Sequence, residues 1–413
     1  MNDKLSALPE KKRIGILCVI AITALLCATL WPFNPWPANQ VTWLPDSDGL
    51  RFGREGVVVS KTPLDPPQET PAAQSCSIEL LLRPANFERS DVILSFYLPR
   101  NSTRLLILQW RDLLMVTHDS KDAQGQIRHT VIGARHAFQT GKLVLVTMTS
   151  GPSGTVLYLN ARPAQSSDRL TISLNELAGQ LILGTTPVEH RPWMGEIRGL
   201  AIYAKQLAPA EVLGHYAVWT APDPLNHDPL NHDPPNPPDT GAAIARYAFS
   251  ERSGREVHSA VSSGPTLEIP ASFDVPHKAI LRSAFEEFDP SHHYLYDVLE
   301  NVAGFIPLGA ILCVYFSLAH SRSKATLYAT LIGGSLSLTI EVLQAFIPRR
   351  TSGMTDIITN TLGALIGAAI TNPNLVRKIL RAVRVLPNLL GAGLAPPGVS
   401  PTENNPRRQP GPA

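Results

Sequence analysis

Apolar positions in this chain collect at its two ends, and the long middle is polar with short alternating runs. Residues 14–30 form one unbroken apolar segment, and 297–320 (DVLENVAGFIPLGAILCVYFSLAH), 326–350 (TLYATLIGGSLSLTIEVLQAFIPRR) and 356–371 (DIITNTLGALIGAAIT) form three more. Each is long enough to predict a helix that crosses or nearly crosses a bilayer. The middle carries runs at 57–59, 77–82, 91–97, 105–110, 142–149, 156–160 and 180–184, all rich in β-branched and aliphatic residues and separated by turns such as 150–154 (SGPSG). Regular short strands with turn signals between them predict an antiparallel sandwich. The predicted fold class is therefore multi-domain, with an α-helical transmembrane bundle of four helices and an all-β antiparallel sandwich.

The first apolar segment follows Lys4, Lys11, Lys12 and Arg13, which is also how a secretory signal peptide opens. No small-x-small cleavage site comes after it; Trp31-Pro32-Phe33 and Pro35-Trp36-Pro37 stand there instead, so a retained helix is expected, with Trp31, Phe33 and Trp36 at headgroup level. Cys27 raises a lipoprotein alternative, which Leu26 disfavours because a lipobox wants a small residue there. Basic residues set the orientation. Lys11, Lys12 and Arg13, then Arg322 and Lys324, then Arg377, Lys378, Arg381 and Arg384 all fall on one side of a four-helix arrangement. The positive-inside tendency makes that side cytoplasmic, puts both termini inside, and places about 39–289 outside.

Polar residues inside the apolar segments are the candidate chemistry. A carboxylate at mid-membrane costs roughly 2.5 to 3.5 kcal/mol on insertion, so Glu341 is a functional-site candidate by default. Gln344 follows at i+3, while Asp356 with Asn360 and Asp297 with Asn301 are i, i+4 pairs, so each pair shares a helix face. All three pairs are expected at the outer ends of their helices, near Arg349 and Arg350. Guanidinium geometry suits phosphate, so an anionic headgroup or lipid-linked phosphate is a candidate ligand. Interhelical hydrogen bonding that only fixes the packing competes with this binding role, as does catalysis or proton-coupled transport on a lipid-linked substrate through Glu341 and Asp356. Gly363 with Gly367 supplies a small-x-x-x-small face for close packing.

Two resemblances sharpen these expectations. Asp297 and Asn301 ahead of FIPLG (305–309), Glu341 and Gln344 ahead of Arg349-Arg350, and Asp356 and Asn360 ahead of Gly363 resemble, in order, the VanZ-like family of small bacterial membrane proteins. The first helix, ending in WPFNP (31–35), resembles that family's first helix, which implies a domain split by a long insertion. The family implies an association with glycopeptide (teicoplanin) resistance and no settled molecular activity. In the middle, SIELLLRP (77–84), VTMTSGPSGTVLYLNARP (146–163) and WMGEIRGLAIYAKQLAPAEVLGHY (193–216) resemble an early strand, a hairpin displaying Asn160, and the closing strand and helix of a laminin-G-like, concanavalin A-like jelly roll.

That roll hosts both sugar binders and hydrolases, so fold alone does not choose between them. A glucanase needs paired carboxylates, and no strand shows the Glu-x-Asp-x-x-Glu pattern that supplies them. Glu79 and Glu196 are expected as lone, solvent-facing acids. A glycan- or envelope-protein-binding role is thereby preferred to catalysis. With Lys+Arg 36 against Asp+Glu 34, nothing points to nucleic acid. Of four cysteines only Cys76 lies in the soluble part, so no disulfide framework is expected. Nothing calls for a cofactor. The proline-rich repeat DPLNHDPLNHDPPNPPD (223–239) predicts a stiff extended linker rather than a metal site at His227, Asp228, His232 and Asp233.

The expected organisation is a cytoplasmic N-terminus (1–13), a first transmembrane helix (14–36), the jelly roll (40–219), the linker (220–240), a membrane-proximal segment (241–290) and VanZ-like helices (297–371). A tail (372–413) follows, which opens with a basic amphipathic helix over 375–386 and ends in residues of disordered composition. The expected location is the bacterial cytoplasmic membrane. The expected partners are membrane lipid, anionic or linked to a cell-wall component, and a glycan or envelope protein at the roll.

Overall fold

A computed structural model of the protein describes residues 10–66, 74–87, 90–98, 104–121, 127–187, 190–221, 242–288 and 292–372, with 374, 377 and 378. The repeat at 223–239 and almost all of the expected tail helix lie outside the described residues. The chain divides into two compact units, a β unit of Asn34–Ala279 with Ala345–Thr351 and a helical unit made of the rest.

Among the described residues of the β unit, sixteen strands form two eight-stranded antiparallel sheets. The first contains β1 (Val41–Trp43), β2 (Leu50–Phe52), β4 (Cys76–Pro84), β9 (Val144–Gly151), β10 (Gly154–Leu159), β11 (Arg162–Ser167), β13 (Gly195–Tyr203) and β14 (Ala243–Tyr247). Its order is β1-β2-β13-β4-β9-β10-β11, with β14 also on β13. The second contains β3 (Val58–Ser60), β5 (Ser90–Tyr97), β6 (Arg104–Trp110), β7 (Leu113–Lys121), β8 (Ile127–Ala134), β12 (Gln180–Leu183), β15 (Glu256–Val257) and β16 (Leu267–Glu268). These run in the order β15-β16-β3-β12-β5-β6-β7-β8.

Period-2 patterning explains the core between the sheets. Ile78, Leu80 and Leu82 of β4 point inward, as do Leu181 and Leu183 of β12 and Ile197, Leu200 and Ile202 of β13. A bulge between Ile197 and Gly199 shifts the phase of β13 by one residue, which is why its inward set is not evenly spaced. At the β10–β11 turn Asn160 and Ala161 both have positive φ, 50° and 61°, the backbone of a two-residue hairpin of primed type. Asn160 is exposed as expected, and its side chain also accepts a hydrogen bond from Leu145 N at 2.9 Å that pins the turn to β9.

For the segment after the linker two placements were open, as an addition to the roll or as a collar near the membrane; its strands β14, β15 and β16 belong to the sandwich. Ala243 to Tyr247 pair with β13, and Leu267 and Glu268 pair with Ser60 and Val59 of β3. Helix α2 (Pro209–Trp219) lies on the outer face of the first sheet, with Val212 packed among Tyr158, Ala201, Tyr203 and Leu207. Pro209 starts it, and the Glu211 carboxylate accepts Ala208 N at 2.7 Å, satisfying an end donor that alanine cannot cap.

The helical unit holds α1 (Glu10–Leu30), the single turn α3 (Ala284–Glu287), α4 (His292–Ser317), α5 (Arg322–Ala345) and α6 (Met354–Ile370). Among the described residues, three segments are long and apolar enough to cross a membrane, Glu10–Leu30, Tyr294–Ser317 and Arg322–Ala345, and α6 is a shorter apolar helix of 17 residues. The burial pattern of α5 is inverted relative to a soluble helix. Ala325, Ala329, Gly333 and Ser337 are inside, while Leu327, Leu331 and Leu338 are exposed. Small residues at helix contacts with large aliphatic ones facing out is how helices pack where lipid replaces water. Gly363 and Gly367 use their small-residue face against α4: a Cβ on Gly363 would stand 2.3 Å from the Val302 carbonyl oxygen, and one on Gly309 would stand 2.1 Å from that of Ala364. Ile14 and Cys18 of α1 pack on the same cluster as Leu308, Leu312 and Cys313 of α4.

Candidate functional site

In the helical unit the polar residues of α4, α5 and α6 meet in a buried cluster. Ser337, Glu341 and Gln344 lie on one face of α5, spaced four and three residues apart. Glu341, 1% exposed, accepts a hydrogen bond from Gly353 N at 2.9 Å, and its carboxyl is within hydrogen-bonding reach of that of Asp356. Asn301 Nδ2 donates to Asp356 Oδ1 at 2.8 Å, which joins α4 to α6. Asn360 Nδ2 donates to Ser337 Oγ at 2.9 Å, while its Oδ1 is buried with no partner among the described residues.

Two of the expected members stand apart from this core. Gln344 donates to Thr29 O at 3.0 Å, tying α5 to the end of α1, and Asp297 is exposed one turn before Asn301. The loop entering α6 is braced separately: Arg282 N donates to Ser352 O at 3.0 Å, Met354 N to Arg282 O at 2.9 Å, and Thr355 N to Glu287 Oε2 at 3.0 Å. The two arginines expected beside the cluster belong, with the rest of 345–351, to the β unit. Arg349 Nε donates to Glu55 Oε1 at 2.6 Å, and Glu55 is 3% exposed. Arg350 is exposed, and its amide donates to Ile347 O.

The acids of the roll differ from expectation. Glu79 and Glu196 are on the outer face of the first sheet, yet neither is solvent-facing. Glu79 is fully buried beneath α2, accepting Tyr203 Oη–H at 3.0 Å and Trp219 Nε1–H at 2.9 Å, with His215 Nδ1 at 3.1 Å. Glu196 stands opposite Arg51 on one neighbouring strand and Arg83 on the other, and it pairs with both and with Arg198 at 3.0 to 3.1 Å. Burial alone would raise its carboxyl, but the hydrogen bonds from Arg198 and Arg51 and the charge of Arg83 hold it below the usual carboxylate range. Both acids are thus occupied by donors from the protein itself.

Among the described residues, no group of three or more His, Cys, Asp or Glu side chains is placed to hold a metal ion. Sequence reasoning missed Ser337, Glu287, Glu55 and the Gly353 amide. Ser337 had a signal, since it precedes Glu341 by four residues; the other three come from loops and a single helical turn without periodicity.

A two-sheet antiparallel sandwich closed by a short helix, joined to helices with lipid-type packing, defines a membrane protein with a lectin-like binding domain. Comparison with known families matches two parts of the chain. Residues 60–213 match the concanavalin A-like lectin/glucanases superfamily, and residues 246–377 match the VanZ/LLP1 family, so the chain carries a jelly-roll segment followed by a VanZ-like segment. Comparison with curated proteins found no match.

Among solved structures, the chain is similar to a native heptameric SAP-like pentraxin from Limulus polyphemus (14% identity, 44% of this chain and 80% of that one, TM-score 0.30). It is also similar to the receptor binding domain of a botulinum neurotoxin C/D mosaic serotype (14%, 43% and 45%, 0.32). A third similarity is to the Ruminococcus gnavus IT-sialidase CBM40 bound to alpha2,3 sialyllactose (12%, 41% and 97%, 0.30). The chain thus spans less than half of the neurotoxin structure, and these likenesses say nothing about its ligand.

Proposed function

We propose that this chain is a multi-pass envelope protein of the bacterial cytoplasmic membrane. Both termini are cytoplasmic, α6 is the fourth crossing helix, and the roll stands outside the cytoplasm, where it binds a glycan or an envelope protein. The helices bind a lipid or lipid-linked wall component through Asp297, Asn301, Glu341, Gln344, Asp356 and Asn360. This activity underlies any effect on glycopeptide resistance.

The observation that carries the reading is the buried cluster. Two carboxyls and two amides inside apolar helices cost more insertion energy than packing contacts require, because the small-residue contacts of Gly309, Gly333 and Gly363 already join α4, α5 and α6. Asn360 Oδ1 also offers an unpaired acceptor to a ligand donor.

Native mass spectrometry of the purified protein tests the helical part, with wild type compared to Glu341→Gln and Asp356→Asn. Retention of one anionic or polyprenyl lipid by wild type and its loss in both folded variants is expected. Equal lipid in all three means that the cluster only fixes the packing. A polysaccharide array probed with the full-length protein tests the roll separately, and binding of at least one glycan class is expected.

A further inference from the structure

The β unit contains a polar cavity that the reading above does not use. It has a volume of about 250 Å³ and is lined by Arg54, Asn86, Asp91 and His190, by Pro192 and Met194, and by Arg349. These residues come from the β2–β3, β4–β5 and β12–β13 connections, from the start of β5, and from 345–351. Loops carry binding sites well when a rigid scaffold holds them, and these are cross-braced. Ala85 N donates to Met194 O at 3.0 Å and Val92 N to Arg191 O at 3.2 Å. Trp193, 1% exposed, donates Nε1–H to Gln109 Oε1 at 2.8 Å, and Gln109 Nε2 donates onward to Asn86 O at 2.7 Å.

The cavity's chemistry is mixed in an informative way. Arg54 is exposed and has no hydrogen bond or ion pair with any described residue. Arg349 is held by Glu55 through Nε and one Nη, which fixes the guanidinium and leaves its other N–H groups available. His190 Nε2 is buried with no partner among the described residues, and burial lowers that imidazole to about 4, so the ring is neutral at physiological pH and acts as a hydrogen-bonding group. The Asp91 side chain, 6% exposed, supplies acceptors for hydroxyl donors. Pro192 and Met194 add an apolar wall. The volume lies below the range of about 300 to 1,000 Å³ usual for drug-sized ligands, so it admits a single small unit.

We propose that this cavity binds one anionic sugar unit, with its carboxylate or phosphate oxygens on Arg54 and Arg349, its hydroxyls on Asp91, Asn86 and His190, and its C–H face on Pro192 and Met194. Planar guanidinium donors match both kinds of oxyanion. The proposal rests on the glycan-binding reading of the roll and narrows it to a site and a charge.

Isothermal titration calorimetry of the full-length protein in detergent tests it, using glucuronate, glucose 1-phosphate, glucose and inorganic phosphate. At least one of the two anionic sugars binds, at least 10-fold more tightly than glucose and than phosphate. Arg54→Glu weakens it at least 10-fold without moving the melting temperature, and His190→Gln provides a second, uncharged perturbation that also weakens it. Binding of glucuronate alone identifies a carboxylate ligand, and binding of glucose 1-phosphate alone a phosphate one. Failure of both anionic sugars to bind folded wild type, equal binding of glucose, or indifference to Arg54→Glu overturns the proposal. If the polysaccharide array still shows binding that Arg54→Glu leaves intact, only the cavity assignment falls. If no glycan binds at all, the wider reading falls with it.

Discussion

The buried Glu79 network makes the sharpest stability prediction. Its carboxylate has two oxygens and no solvent, and it takes donors from Tyr203, Trp219 and His215 at 3.0, 2.9 and 3.1 Å. Glu79→Leu removes the acceptor and leaves three donors facing an apolar group. Each fully buried orphan costs about 1 to 3 kcal/mol. Tyr203 and His215 are fully buried while Trp219 is only partly so, which sets the expected loss near 3 to 5 kcal/mol. For a unit of this size, about 1 kcal/mol moves the melting temperature by roughly 2 to 4 °C, so the drop is on the order of 6 to 20 °C. Tryptophan fluorescence during thermal unfolding of the full-length protein reads it, since Trp219 is itself a partner and Trp193 sits in the core. Glu79→Gln keeps one acceptor oxygen and falls between wild type and Glu79→Leu. Trp219→Phe combined with Glu79→Leu costs less than the sum of the two single changes, because the lost bond is counted once. A shift under about 2 °C for Glu79→Leu, or strict additivity with Trp219→Phe, would show that the network does not hold α2 to the sheet.

Acidification gives an independent check on the β unit. His190 is lowered from 6.5 to about 4, first by burial and then by the charges of Arg349, Lys278 and Arg54 against that of Glu55. The unfolded chain takes up a proton below 6.5 that the folded chain refuses until about 4, so stability falls across that window and is unaffected by this group above it. The loss is at most about 3 kcal/mol, and urea titrations at pH 7 and 4.5 should show it shrinking in His190→Gln. In the helical unit, Gly309→Leu drives a side chain into the Ala364 carbonyl, so loss of the monodisperse peak in detergent size-exclusion chromatography is expected, whereas Leu331→Ala on an exposed face leaves that peak intact.

Much of this architecture was legible because periodicity reports which face is buried. The alternation in β4, β9 and β13 and the continuous apolar runs of α1, α4 and α5 are strong signals, and the i, i+4 spacing brought Asp356 and Asn360 to notice before their partners were known. Asn301 and Asp356 do meet, as do Glu341 and Asp356. Short or polar strands gave no such signal. β11 reads RPAQSS and is almost wholly exposed, so nothing in its composition separates it from a loop. β14 to β16 follow a proline-rich repeat and are only two to five residues long. Glu79 misled for a different reason. Alternation correctly put it on the face opposite Ile78 and Leu80, but only the docking of α2 makes that face dry, and docking is a tertiary fact. The Arg349–Glu55 pair was not legible either, since its partners are almost three hundred residues apart along the chain.

The late strands have a consequence for how the molecule is made. Ser60 finds its neighbour in Leu267, and β13 has one edge divided between β2, made early, and β14, made late. A nascent chain that has reached the end of α2 therefore still has an open edge on each sheet, and open edges invite the wrong pairing. Closure has to wait for the residues beyond the linker, and contacts so distant in sequence form slowly. A ribosome stalled within the linker would release a product able to aggregate through those edges, so the linker marks the point in synthesis up to which the roll depends on protection by other factors.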